Sequence, residues 1–123
     1  MINNIVVVGS GVMGRGIAYV AAVGGFNTTV YDTNEAVLIN AENQLKQIFE
    51  KSLNKGKLTA VQIEEAKNRL TYSTAVEETI QSADLVIEAV PEKAEIKKQV
   101  FETLEAYAPE HCLFATNTST MSP

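Results

Sequence analysis

The sequence predicts a doubly wound α/β domain, a parallel sheet with helices on both faces, and three observations carry that prediction. Short apolar runs suited to buried strands alternate with segments of helical spacing along the chain. The first run, Ile5-Val6-Val7-Val8, breaks directly into Gly9-Ser10-Gly11-Val12-Met13-Gly14 at the start of a helix. An acidic residue, Asp32, then closes the second strand. A glycine turn between a strand and a helix, with an acid one strand later, is the fingerprint of a dinucleotide-binding, Rossmann-like fold.

The elements follow in order. Residues 2–8 form strand one, and Val12 to Val23 form a helix stopped by Gly24-Gly25. Its small residues Gly16, Ala18, Ala21 and Ala22 suit a helix laid tightly on a sheet. Thr28 to Tyr31 make strand two. From Asn34 to Asn54, Leu38, Ala41, Leu45, Ile48 and Leu53 recur at helical spacing, and a turn follows over 54–57. Thr59-Ala60-Val61-Gln62 is a capping-box signature that opens a helix running to Arg69. Leu70–Ser73 is strand three, Val76–Ser82 a helix, and Leu85–Val90 strand four, ended by Pro91. Ile96, Val100, Phe101, Leu104 and Tyr107 line one face of a helix closed by Pro109. Cys112–Ala115 is strand five, leading into Thr116-Asn117-Thr118-Ser119. The alternation of strands and helices predicts a parallel sheet with right-handed crossovers. The two helices between strands two and three exceed what a crossover requires. This helical-pair insertion lies over one sheet edge, either as cover or to carry a special contact.

Composition bounds the function. One domain suffices for 123 residues, and 46% hydrophobic with 20% charged content is ordinary for a globular protein. A net charge of −5 argues against non-specific nucleic-acid binding, and no apolar stretch approaches the roughly 20 residues of a membrane span. The strand at the N-terminus has no basic leader or cleavage site. The single cysteine, Cys112, reads as a small core residue in a reducing, cytoplasmic setting. With one histidine and one cysteine, no His/Cys metal site is expected. The chain stops at Met121-Ser122-Pro123, just after a strand and a polar turn, which reads as a cut within a longer protein.

The glycines divide the work. Gly9 allows the tight turn, Gly11 lets backbone approach a pyrophosphate, and Gly14 lets helix pack on strand. Amide N–H groups and the positive helix end hold the phosphates. Asp32 is placed to accept hydrogen bonds from the adenosine ribose and to repel a 2′-phosphate, although it also reads as a turn residue or helix cap. The nearest basic residue downstream is Lys46, so no arginine is poised for that phosphate and NAD is favoured over NADP. Met13 fits core packing first and pyrophosphate contact second. Val90-Pro91-Glu92 and Thr116–Ser119 lie at carboxyl ends of strands, where ligands bind in this fold, or simply solvate turns. His111 precedes strand five at the opposite, amino end, and reads as an ordinary loop histidine.

Gly9–Gly14, Asp32, the run Asp84–Glu92, Lys97 followed by Phe101, and Ala115–Ser119 together resemble the N-terminal domain of L-3-hydroxyacyl-CoA dehydrogenases, bacterial 3-hydroxybutyryl-CoA dehydrogenases in particular. The resemblance covers essentially the whole chain. It implies reversible oxidation of a 3-hydroxyacyl-CoA with hydride passing to NAD. It implies that Gly9, Gly11, Val12, Met13, Gly14 and Asp32 hold the ADP half, and that Glu92 and Lys97 contact the cofactor near its ribose and nicotinamide. Asn117 and Ser119 would fall beside the nicotinamide, with Ser119 hydrogen-bonding the substrate oxygen. Lys55 would meet the CoA phosphates, and Lys51 and Lys57 nearby either assist it or simply solvate the helix. Ile48 stands where the family has a CoA-touching serine, and Thr116 and Thr120 replace common serines. The family's catalytic histidine and its glutamate lie beyond the Asn-Thr-Ser segment, in a part completed by a helical C-terminal domain that usually forms the dimer. A hydroxyacid or L-gulonate dehydrogenase without CoA, or a non-catalytic nucleotide-binding module, are the alternatives on the same fold.

Overall fold

A computed structural model describes residues 1–89 and 102–116 of the chain. The elements are β1 (Asn4–Val8), α1 (Val12–Val23), β2 (Asn27–Tyr31), α2 (Glu35–Asn54), α3 (Ala60–Arg69), β3 (Leu70–Ser73), α4 (Val76–Ile80), β4 (Leu85–Glu88), α5 (102–107) and β5 (Leu113–Thr116). The strands form one sheet in the order β3-β2-β1-β4-β5, and every pairing is parallel. The doubly wound α/β class is therefore as the sequence predicts.

Alternation along β1 explains why the sheet is covered on both faces. Val6 and Val8 point to one side, where they pack with Tyr31, Ile80, Val86 and Leu104. Ile5 and Val7 point to the other, against Ala18 and Ala21 of α1, with Val30 and Leu38. A four-residue stretch buried on both faces reads as continuous β-branched sequence, and Ile5–Val8 does so here. The helix pair adds a third cluster of Ala22, Leu45, Phe49, Ile63 and Ala66. Phe49 meets Tyr19 of α1 at a ring separation of 5.2 Å. Arg69, at the end of α3, donates to the Ala22 carbonyl at 2.9 Å and so ties α3 to the last turn of α1.

Local signals fix the helix ends. Asn34 caps α2 by accepting from the Val37 amide at 3.2 Å. Thr59 and Gln62 form both bonds of the capping box of α3, at 3.1 and 2.8 Å. Gly25, with φ of 102°, stops α1 while the Gly25 and Phe26 amides donate to Ala22 and Ala21.

Several boundaries and faces differ from expectation. β1 begins at Asn4 rather than residue 2, because its pairing to β2 starts only at Asn4–Asn27. β2 gains Asn27 at that same register, and β5 runs Leu113–Thr116, one residue later than expected, in step with Leu85–Glu88. Strand four ends at Glu88 and helix four at Ile80, each two residues early. In α2 the buried stripe passes through Phe49 and Ser52, leaving Leu53 45% exposed. Ser52 is buried because the Tyr19 hydroxyl lies 2.6 Å from its Oγ. In α1, Gly16 is exposed, and Gly14 takes the tight position instead. Cys112 is half-buried, packed beside the Val6–Leu104 cluster, and burial pushes its thiol pKa up, with the nearby Asp84 charge adding to it.

Candidate functional site

The site forms at the carboxyl edge of the sheet, where the crossovers diverge. α1 covers one face next to β1, whereas Ile80 of α4 and Leu104 of α5 cover the other. The crevice between β1 and β4 is thus a topological switch point, the place where ligands bind in open α/β sheets.

The glycine turn fills that position. Gly9 has φ of 104°, a region that an L side chain rarely adopts, and its amide donates to the Tyr31 carbonyl at 2.8 Å. Gly11 is the N-cap of α1, with no side-chain cap and no acidic residue in the first helical turn. The first amides therefore keep their donors for an incoming anion. A Cβ built on Gly11 would meet nothing within 4 Å, so the space over the turn is open. At Gly14 the opposite holds, since a Cβ would lie 1.9 Å from the Gly9 oxygen. One glycine is needed for packing and the other leaves room for a ligand. That open, uncapped helix start fits the pyrophosphate of a dinucleotide.

Asp32 stands at the end of β2 and is built into the turn. Its Oδ2 accepts from the Ser10 amide at 3.1 Å and from the Ser10 hydroxyl at 2.8 Å, while Oδ1 accepts from the Asn34 amide at 3.1 Å. Asn34, not Asp32, is the helix cap. Beside it, the Tyr31 hydroxyl pKa is raised by burial and by the charge of Asp32.

Arg15 supplies a cation that the downstream search for a basic residue missed. Its Nη1 donates to the Ser10 carbonyl at 3.2 Å, so Ser10 touches Asp32 with its amide and hydroxyl and Arg15 with its oxygen. The missing signal was position within the first helical turn, which folds a long side chain back over the loop. Glu88 was also passed over. It is fully buried at the carboxyl end of β4, paired in register with Val8, inside a run that reads as apolar.

Other expected residues fall elsewhere. Met13 is 56% exposed, and it borders an open apolar groove of about 620 Å³ with Val12, Ile17 and Val20, so core packing is not its role. Lys55 is the exposed C-cap of α2. A helix of 20 residues is about 30 Å long, so Lys55 is far from the Asn34 end that adjoins Asp32. Lys51 and Lys57 are exposed nearby, and Ile48 packs against the Phe49 cluster. Glu92, Lys97, Asn117 and Ser119 lie outside the described residues, as do Ile96, Val100 and Phe101.

His111 is exposed and at the amino end of the sheet, but it is more than a loop residue. Its Nε2 lies 2.7 Å from Asp84 Oδ1, while Asp84 Oδ2 accepts from the Asn3 and Asn4 amides at 2.9 Å each. Those amide bonds, then the histidine, lower the Asp84 pKa to about 2. The cluster ties the starts of β1, β4 and β5 together, opposite the glycine turn.

Fold and turn together define a dinucleotide-binding domain of the NAD-dependent dehydrogenase type. The chain belongs to the 3-hydroxyacyl-CoA dehydrogenase family, matching the model of its NAD-binding domain over residues 4–123. It is 38% identical over 120 residues to a probable 3-hydroxybutyryl-CoA dehydrogenase of Bacillus subtilis, covering 98% of this chain and 42% of that protein. Among solved structures, a 3-hydroxybutyryl-CoA dehydrogenase from Escherichia coli superposes with a TM-score of 0.91 at 38% identity, over 97% of this chain and 25% of that one. The (S)-3-hydroxybutyryl-CoA dehydrogenase of Ralstonia eutropha gives 0.91 at 29%, over 97% and 42%. The chain thus spans less than half the length of these relatives.

Proposed function

We propose that this chain is the cofactor-holding part of an NAD-dependent L-3-hydroxyacyl-CoA dehydrogenase, interconverting 3-hydroxyacyl-CoA and 3-oxoacyl-CoA. The observation that carries the reading is the uncapped, open helix start at Gly11, bracketed by Asp32, in a chain that matches the family over 4–123. When bound, NAD supplies the hydride acceptor. The chain's own part is binding and orientation. The α1 amides hold the pyrophosphate, and Asp32, steadied by Ser10 and Asn34, presents its carboxylate to the adenosine ribose. In this reading Glu92, Lys97 and Asn117 serve the ribose and nicotinamide end, Ser119 holds the substrate oxygen, and Lys55 meets the CoA phosphates. His111, held to Asp84 at the opposite edge, is not the proton acceptor. A general base must lie within hydrogen-bond reach of the 3-hydroxyl, and the reading assigns it to a helical domain outside this sequence. The apolar groove beside α1 supports such a domain, and the whole enzyme is read as a cytoplasmic homodimer.

Calorimetric titration tests the reading. NAD binds the 123-residue chain, and Gly11→Ala weakens binding without loss of fold. Lys55→Glu weakens a CoA ester but not a free 3-hydroxyacid. A chain that binds no NAD, or a Lys55→Glu variant with unchanged CoA-ester affinity, would refute the corresponding half of the assignment.

A further inference from the structure

We propose that Arg15 is a specificity-determining residue of the cofactor site, the cation that meets a 2′-phosphate once the Asp32 charge no longer opposes it. The inference rests on the NAD reading above and goes beyond it, because that reading gives discrimination to Asp32 alone.

Three observations lead here. Ser10 is 1% exposed, a fixed residue between the two charges rather than a mobile linker. Both of its polar donors are spent on Asp32 Oδ2, and its carbonyl accepts from Arg15 Nη1. The guanidinium and the carboxylate therefore flank a single residue at the head of the glycine turn. Among the described residues, the bond to Ser10 is the one hydrogen bond of the Arg15 side chain. Arginine carries five N–H donors in a planar fork that matches phosphate oxygens. Most of that fork is uncommitted, on a side chain that is half-buried.

The charges decide the outcome. An adenosine ribose held by Asp32 places its 2′ substituent beside the carboxylate and one residue from the guanidinium. A 2′-hydroxyl donates to Asp32 and gains little from Arg15. A 2′-phosphate is repelled by Asp32 and attracted by Arg15, so in the native chain the carboxylate opposes the pull of the guanidinium. Removing the negative charge leaves the positive one alone. A single exchange at Asp32 thus opens the site to 2′-phosphorylated ligands, because the required cation is already in place.

The test is calorimetry with ADP-ribose and 2′-phospho-ADP-ribose, which probe the adenosine end without turnover. Asp32→Asn keeps an acceptor for Ser10 and removes the charge, and it raises the affinity for the 2′-phospho ligand relative to ADP-ribose by on the order of tenfold. Adding Arg15→Gln abolishes that gain, whereas adding Arg15→Lys retains much of it. Arg15→Gln alone weakens the 2′-phospho ligand by about fivefold and leaves ADP-ribose within about twofold. Equal weakening of both ligands by Arg15→Gln would place Arg15 at the pyrophosphate and overturn the proposal. So would a gain in Asp32→Asn that persists without Arg15. Failure of the native chain to bind ADP-ribose at all would remove the NAD reading itself, a distinct result that takes the proposal with it.

Discussion

Alanine at Gly14 would put a methyl carbon 1.9 Å from the Gly9 oxygen, 2.9 Å from the Gly9 carbon and 3.6 Å from Val7 Cγ1. The first contact is more than 1 Å inside the 3.0 Å that real Cβ atoms respect, and the atom it meets is backbone. No side chain can swing away, so α1 must lift off the turn. That movement loosens Gly14, Ala18, Ala21 and Ala22, the residues that bury α1 against its neighbours. Overpacking of a well-filled site costs about 1–3 kcal/mol, and a clash with backbone belongs at the upper end. Against a total stability of roughly 5–15 kcal/mol, a loss near 3 is severe. The same exchange at Gly16 meets nothing within 4 Å and replaces a poor helix former, so it should gain up to about 1 kcal/mol. The chain has no tryptophan, so urea unfolding is followed by far-ultraviolet circular dichroism. If Gly14→Ala unfolds at the same urea concentration as Gly16→Ala, the packing account of the third glycine is wrong.

Two further outcomes are expected. The Asp84 carboxyl, held near 2 by the Asn3 and Asn4 amides and by His111, is depressed below its ordinary 3.8. Its contribution is therefore complete above about pH 4 and lost as pH falls towards 2, so the melting temperature of Asp84→Asn should show a flatter acid limb than the native chain. An identical limb in both would remove Asp84 as a cause. Phe49 is 1% exposed beneath the helix pair, and Phe49→Ala should cost about 3–5 kcal/mol in the same urea assay. A loss under about 1 kcal/mol would mean that α2 and α3 are not held by that cluster.

What the sequence revealed, and what it concealed, follows from the range of each interaction. Gly9, Gly11, Gly14 and the Thr59–Gln62 box act within one turn of chain, and spacing alone exposed them. The buried strands were legible because Ile5–Val8 and Leu85–Ile87 are apolar on both faces. The strand ends were not, since Asn4 and Glu88 are set by partners in other strands. Ser52 looks like a surface residue until Tyr19 is folded 33 positions away onto it. His111 and Asp84 are 27 apart, and nothing in either neighbourhood announces the other. Arg15 was hidden differently. It lies close in sequence, but a side chain that turns back towards its own loop is invisible to a search that looks only downstream of Asp32.

The strand order has a consequence for how the chain is made. β1 is the middle strand, flanked by β2 and β4. Its first partner arrives soon after it, so β1, α1 and β2 can assemble as a local unit while synthesis continues. Its second partner starts only at Leu85, and the carboxylate that fastens its amides, Asp84, is separated from Asn3 by 81 residues. Until that point one edge of the most apolar strand has no neighbour of its own. The glycine turn is thus among the earliest parts of the site to be translated, yet the crevice it faces acquires its second wall only when β4 has docked.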